Sequence, residues 1–268
     1  MSWWQAVILG LLQGLTEFLP VSSSGHLAIG REILGVEASG DLVFEVAVHA
    51  ATVLATIVVF WKPIVQLFRG LFKFKYNDET DYVFKIIVSM VPVFVVGMFF
   101  KDWVEALFSS LLVVGIALMV TALLLFFSDR KPARPAAEGS QARNGISYLQ
   151  AFIVGIGQAF AVIPGLSRSG TTISTGLLCG VRREVMAQFS FLMVLVPILG
   201  EAFLDLIGGD FAASSIGVLP LVLGFAAAFA SGLFACKAMI ALVKRAQLKW
   251  FALYCAIVGL VVVAFCIF

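Results

Sequence analysis

A carboxylate, an imidazole and a guanidinium stand in this chain where apolar sequence would otherwise run on. Glu17 follows Gln13 by four residues within ILGLLQGLTEF, so the two share a helix face. A carboxylate inside such a run is costly and marks a functional site: a general base, a proton relay or a metal ligand. Ser22, Ser23 and Ser24 follow the break at Pro20, and His26 closes the cluster. A histidine on the first turn after that polar loop can serve as acid or base near neutral pH. Arg168 stands between Ser167 and Ser169 in IPGLSRSGTT. Its guanidinium keeps its proton, and its planar fork suits phosphate or carboxylate. The competing role is a buried ion pair with Glu17 that only pins two loops together. His49 follows Glu45 by four residues, which reads as a structural contact on one helix. Glu201 and Asp205 have the same spacing and read as facing a wet cavity or the outer boundary.

These residues sit in two stretches that repeat each other. Ile8 to His26 reads ILGLLQGLTEFLPVSSSGH, and Ile153 to Thr171 reads IVGIGQAFAVIPGLSRSGT. At an offset of 145 they share Gly10/Gly155, Gln13/Gln158, Ser22/Ser167, Ser24/Ser169 and Gly25/Gly170, and the register continues to Gly35/Gly180. Each copy is an apolar run, a proline, a serine-glycine cluster, and apolar sequence again. In a membrane protein that pattern predicts a broken or re-entrant helix, and two copies point to a site at the repeat interface.

Composition supplies the membrane. The 268 residues are 61% hydrophobic and 13% charged, with a mean hydropathy of +1.06. Soluble domains run nearer half apolar and a quarter charged. A disulfide framework or zinc site is not expected from four cysteines in apolar segments, none in a CxxC. The opening MSWWQ lacks the positive region of a cleavable signal peptide, so the apolar start is expected to stay.

Six runs are long enough to span a bilayer: 42–61, 82–100, 111–128, 186–207, 218–236 and 250–268. The two motif regions, 3–34 and 146–181, are broken mid-way. Fifteen of the eighteen basic residues fall in four clusters, within 62–85, within 129–145, at Arg182 and Arg183, and within 237–249. The positive-inside bias places all four in the cytoplasm. The first motif then enters and leaves from outside, and the second from inside. The expected fold is an all-α polytopic membrane protein with an inverted-topology repeat, each half a re-entrant helical hairpin plus three transmembrane helices. The halves are 1–130 and 146–268 of a single membrane domain, joined by a cytoplasmic linker over 131–145. Non-helical backbone at the hairpin tips requires burial in protein or a wet cavity. Each tip begins a new half-helix whose free N–H groups favour an anion.

QGLTEFLPVSSSGH resembles the (E/Q)xxxE-to-SSxGH motif of the undecaprenyl-diphosphate phosphatases of the bacitracin-resistance type, and IPGLSRSGTT resembles that family's PGxSRSxxT. The resemblance covers essentially the whole chain. It implies hydrolysis of undecaprenyl diphosphate to the monophosphate, recycling the lipid carrier of cell-wall synthesis. It also implies a divalent cation, Mg or Ca, and a site facing the outer side of the bacterial cytoplasmic membrane. The family's functional positions fall on Gln13, Glu17, Ser22, Ser23, His26, Ser167, Arg168, Ser169 and Thr172. Gln13 stands where some members carry Glu, so Glu17 must do more alone.

Together the residues and the resemblance assign catalysis to Glu17, Ser23, His26 and Arg168. Substrate binding falls to Gln13, Ser22, Ser24, Ser167, Ser169, Gly170 and Thr172, and metal binding to Glu17. Arg168 and the half-helix N–H groups are expected to hold the diphosphate. The nucleophile is either water activated by Glu17 or His26, or Ser23 through a phosphoserine; Ser23 is favoured, with His26 as proton shuttle. The partners are a polyprenyl diphosphate and membrane lipid, with a homodimer as one assembly and no nucleic acid. Two other readings use the same residues. An inverted-repeat carrier would use Glu17 for proton coupling and Arg168 for an anionic substrate. A type-2 phosphatidic-acid phosphatase needs a histidine after the second arginine motif, and none follows His49.

Overall fold

A computed structural model describes residues 1–36, 42–108, 110–130, 143–200, 216–244 and 248–268. Regular structure among them is helical. The order is α1 (Trp3–Phe18), α2 (Ser23–Leu34), α3 (Leu42–Val59), α4 (Trp61–Leu71), α5 (Asp78–Phe99), α6 (Lys101–Phe108) and α7 (Leu111–Arg130), then α8 (Tyr148–Phe160), α9 (Arg168–Leu178), α10 (Arg183–Met193), α11 (Val218–Lys244) and α12 (Leu248–Ile267). A turn at Val194 interrupts α10, and helix resumes over 195–200.

Five of these are long and apolar enough to cross a membrane: α5, α7, the stretch Arg183–Gly200, α11 and α12. The bent pair α3–α4 makes a sixth. Their outward faces carry large apolar side chains, among them Phe94 and Met98 on α5, Leu123 and Phe127 on α7, and Ile257 and Val261 on α12. Water would not tolerate so continuous an apolar surface. Hydrocarbon does, because each helix satisfies its own backbone. The chain is a polytopic, all-helical integral membrane protein.

Some element boundaries depart from the sequence reading. The first span stops at Val59, and α4 bends away from it by 76°. The segment 62–85, read as a basic linker, therefore holds a helix: Pro63 lies in its first turn, where a missing N–H costs nothing. Lys85, counted with that linker, lies inside α5. It is 2% exposed and pairs with Asp81 at 2.5 Å, and it donates to the Arg143 carbonyl at 2.6 Å. The fourth span is helical to Gly200; its expected remainder, with Glu201 and Asp205, lies outside the described residues. The same holds for most of the 131–145 linker.

Local sequence explains how the two motif hairpins are built. Ser2 caps α1 in a box with Gln5, and Ser147 caps α8 in a box with Gln150. The Gln5 side-chain amide then donates to Leu34 O at 3.0 Å, and that of Gln150 to Cys179 O at 3.1 Å. Each bond ties the start of a hairpin's first helix to the end of its second. Both second helices end on a left-handed glycine, Gly35 at φ 62° and Gly180 at φ 85°. Every one of these pairs recurs at the 145-residue offset.

The two hairpins pack on different helices. α1 packs along α11, and α8 along α5; α7 and α12 pack on each other, and α9 lies against both α7 and α8. Thr121 on α7 accepts from Ser167 N at 3.0 Å, which fixes the start of α9. Cys255 on α12 approaches Pro20 O at 3.6 Å, at the first break.

Candidate active site

The break after Leu19 turns the chain through Ser22, which takes the left-handed backbone region at φ 71°. A β-carbon makes that conformation costly, so the surroundings must hold it. Ser22 Oγ caps α2 by accepting from Gly25 N, and Ser167 Oγ caps α9 by accepting from Gly170 N. The first turns of α2 and α9 keep N–H groups without intrahelical partners, which makes each an electropositive end.

Glu17 lies in the last turn of α1, its side chain 7% exposed. Its Oε2 accepts from Ser23 Oγ at 2.5 Å and from Gln13 Nε2 at 3.0 Å. Its Oε1 faces Arg168 Nη2 at 3.4 Å. Glu17 therefore sits at the helix end that repels anions, and Arg168 at the helix end that repels cations. Each meets its opposite across the two tips. Ser169 Oγ adds a second bridge between the tips by donating to Leu19 O at 3.2 Å.

Beside this pair lies a small cavity. Glu17, Arg168, Thr52, Thr56, Ser169, Thr172 and Ser190 line its polar side, and Phe18, Val53, Phe191, Val194 and Ile198 its apolar side. Thr172 Oγ1 donates to Arg168 O at 2.8 Å and meets Ser190 Oγ at 2.6 Å. The cavity thus offers hydroxyls and one guanidinium to an anion, with a carboxylate at the edge.

The structure brings Gln13, Glu17, Ser23 and Arg168 into one cluster and sets Ser169 and Thr172 on the cavity wall. Ser22, Ser24, Ser167 and Gly170 instead build the two caps: Ser24 Oγ meets Ser22 Oγ at 3.3 Å, and Ser169 Oγ meets Ser167 Oγ at 3.4 Å. His26 is not joined to Ser23 or Glu17. Its Nδ1 bonds Ser22 O at 2.8 Å, and its Nε2 bonds Tyr254 Oη at 2.8 Å, the two rings stacked with centroids 5.6 Å apart. The carbonyl only accepts, so Nδ1 carries the proton and Tyr254 donates to Nε2.

His49 takes the place in the site that the sequence assigned to His26. Its expected side-chain contact with Glu45 is not made. Glu45 pairs with Arg31 at 2.5 Å, and only its backbone carbonyl bonds His49 Nδ1, at 2.8 Å. His49 Nε2 faces Glu17 Oε2 at 3.9 Å. No spacing within one segment could reveal this, because it depends on how α3 lies against α1. Tyr254, Thr121 and Ser190 were missed for the same reason. For a hard cation, the cluster offers the Glu17 carboxylate, the Ser23 hydroxyl and Gln13 Oε1, a buried oxygen without a hydrogen-bond partner. Oxygen donors of this kind fit Mg or Ca.

Apolar spans closed around a carboxylate, a serine and an arginine define a membrane-embedded protein with a buried polar cluster. The family of the bacitracin resistance protein BacA matches residues 6–261, and the chain belongs to that family. The undecaprenyl-diphosphatase of Bacteroides fragilis is 55% identical over 267 residues, which cover 98% of both chains. That of Parabacteroides distasonis is 56% identical over 268 residues, again 98% of both. That of Methanosphaera stadtmanae is 36% identical over 273 residues, 96% of both.

Proposed function

We propose that this protein hydrolyses undecaprenyl diphosphate to undecaprenyl phosphate and inorganic phosphate through the Glu17–Ser23–Arg168 cluster. The relatives named for this activity match end to end, and the 2.5 Å contact of Ser23 Oγ with Glu17 Oε2 carries the assignment of roles. A hydroxyl hydrogen-bonded to a buried carboxylate is a nucleophile beside its base.

Ser23 Oγ attacks the terminal phosphorus of the diphosphate, and its proton passes to Glu17. The bond from that phosphorus to the bridging oxygen breaks, and the lipid monophosphate leaves with the proton that Glu17 took up. Water then attacks the phosphoserine, releases inorganic phosphate and restores the Ser23 hydroxyl, with Glu17 taking and returning the proton. Arg168 exchanges its contact with Glu17 for the phosphoryl oxygens, where its fork offsets the charge spread over them. Thr172, Ser190 and Ser169 lie where the same oxygens can be held. Glu17, Gln13 and Ser23 would hold a divalent cation, which when bound would neutralise charge on the diphosphate. His26 keeps the Ser22 turn in shape through Ser22 O, so its role is positioning.

The inverted repeat belongs to this proposal. The recurrence of caps, Gln-to-carbonyl ties and left-handed glycines at one offset supports it. So does the packing of α1 on α11 in the second half and of α8 on α5 in the first. The α2 and α9 helices have 12 and 11 residues. At ~1.5 Å per residue they reach little more than half of a ~30 Å hydrocarbon core, as re-entrant segments do. The family resemblance supports the bacterial cytoplasmic membrane with the site towards the outer side, and the basic clusters support the orientation of the spans.

The test is phosphate release by purified protein in detergent with undecaprenyl diphosphate, with and without EDTA. Release that EDTA stops, and that added Mg2+ or Ca2+ restores, is the expected result. Protein that moves a polyprenyl phosphate across liposomes but releases no phosphate would end the hydrolase assignment.

A further inference from the structure

We infer that His49 is a nitrogen ligand of the divalent cation, opposite Glu17, and that the site therefore takes a Mn2+-class ion. This rests on the proposal that the cluster binds a cation at all. His49 Nδ1 lies 2.8 Å from Glu45 O, a group that only accepts, so Nδ1 carries a proton and, in the neutral ring, Nε2 holds the lone pair. That lone pair faces Glu17 Oε2 at 3.9 Å, too far for a hydrogen bond. Two bonds of ~2.1 Å to one shared ion do span such a gap.

The second ring nitrogen supports the same conclusion. Histidines that ligate metals characteristically donate their other N–H to a backbone carbonyl or carboxylate, which fixes the tautomer and aims the ring. His49 shows that arrangement. His26 does not, because both of its nitrogens are already bonded. Around the gap stand Ser23 Oγ at 2.5 Å and Gln13 Nε2 at 3.0 Å from the same Glu17 oxygen, and a flip of the Gln13 amide would bring its unpartnered Oε1 to that side. Arg168 occupies the other carboxylate oxygen, Oε1, and so does not compete for this one. One imidazole among oxygen donors shifts preference from Ca2+ towards first-row transition ions. The diphosphate would complete the shell.

Pulsed EPR with Mn2+ alone tests this on the purified full-length chain. The expected spectrum shows nitrogen modulation from a directly bound imidazole. Growth on 15N-histidine should convert it to the 15N pattern, which identifies a histidine without any substitution. The modulation should persist in His26→Asn and vanish in His49→Ala, with Mn2+ bound about tenfold more weakly or worse in the latter. His49→Gln keeps the size and offers an oxygen, so it should still bind Mn2+ while losing the nitrogen signal. Bound Mn2+ with no histidine coupling overturns the inference and leaves the oxygen-ligated cation standing. Absence of any Mn2+, Mg2+ or Ca2+ binding overturns both.

Discussion

Ser23 Oγ and Glu17 Oε2 lie 2.5 Å apart although one residue begins α2 and the other ends α1. The contact exists because the chain reverses between them, through Pro20 and the left-handed Ser22. If the hydroxyl is the nucleophile, Ser23→Ala should lower phosphate release by at least about a thousandfold and Glu17→Gln by about 10²–10⁴-fold. Acid quenching of the parent during turnover should trap phosphate on the peptide containing Ser22–Gly25. An unmodified peptide beside an active alanine variant would move the attack to water.

Arg168 tests recognition by shape. Its Nη2 meets Glu17 at 3.4 Å in a pocket edged by hydroxyls. Arg168→Lys keeps the charge but not the fork, and should cost about a hundredfold in kcat with little change in thermal stability. A lysine variant with near-parental turnover would reduce the residue to a pin between the two tips.

Much of this site was legible because its residues cluster in two short motifs. A serine followed three residues later by glycine caps a helix locally, so Ser22 with Gly25 and Ser167 with Gly170 could be placed at helix starts from sequence alone. Glu17 and Arg168 stood out because an ionised group in apolar sequence requires a partner, and they prove to be partners. His26 and His49 could not be sorted that way. The first is drawn off by Tyr254, 228 positions away, and the second reaches Glu17 only through the packing of α3. Hydropathy likewise found the spans but not α4, whose alternation of Lys62, Gln66 and Arg69 with Trp61 and Phe68 averages out over a window as a polar linker.

Close backbone approach on α8 gives a prediction about stability. A Cβ on Gly155 would fall on the Ser89 carbonyl of α5, as one on Gly10 would fall on the Gly224 carbonyl of α11. Gly155→Ala should lose about 1–3 kcal/mol through forced separation of the helices. Thermal unfolding in detergent should show this as a lowered midpoint, and the α11 face should respond likewise to Gly10→Ala. An unchanged midpoint in both would mean that these crossings are loose in the membrane.

Orientation follows from the basic clusters and can be read with exposed positions. Lys73 lies beyond α4 and Asp102 in α6, and both are exposed. Single cysteines at these places, in a background lacking Cys179, Cys236, Cys255 and Cys266, should react differently with an impermeant thiol reagent in intact spheroplasts. Position 102 should label and position 73 should not. The reverse pattern would put the site on the cytoplasmic side.

His26 separates positioning from proton transfer. Its Nδ1–H donates to Ser22 O, the carbonyl of the one serine held at φ 71°. Its Nε2 faces away into the Tyr254 stack, 5.6 Å between ring centroids. A shuttle must exchange protons at Nε2, whereas a positioning residue needs only the Nδ1 donor. Asparagine places an amide N–H where Nδ1 stands, and glutamine places one nearer Nε2. A positioning role predicts that His26→Asn keeps kcat within about tenfold of the parent while His26→Gln loses far more, and that Tyr254→Phe stays active because it breaks only the Nε2 bond. A shuttle predicts that both His26 variants are dead, even with Mn2+ or Mg2+ bound and thermal stability intact. Measuring kcat and the unfolding midpoint for all three variants decides the matter: an inactive but fully folded His26→Asn would restore the proton to His26 and require Tyr254 to swing away during turnover.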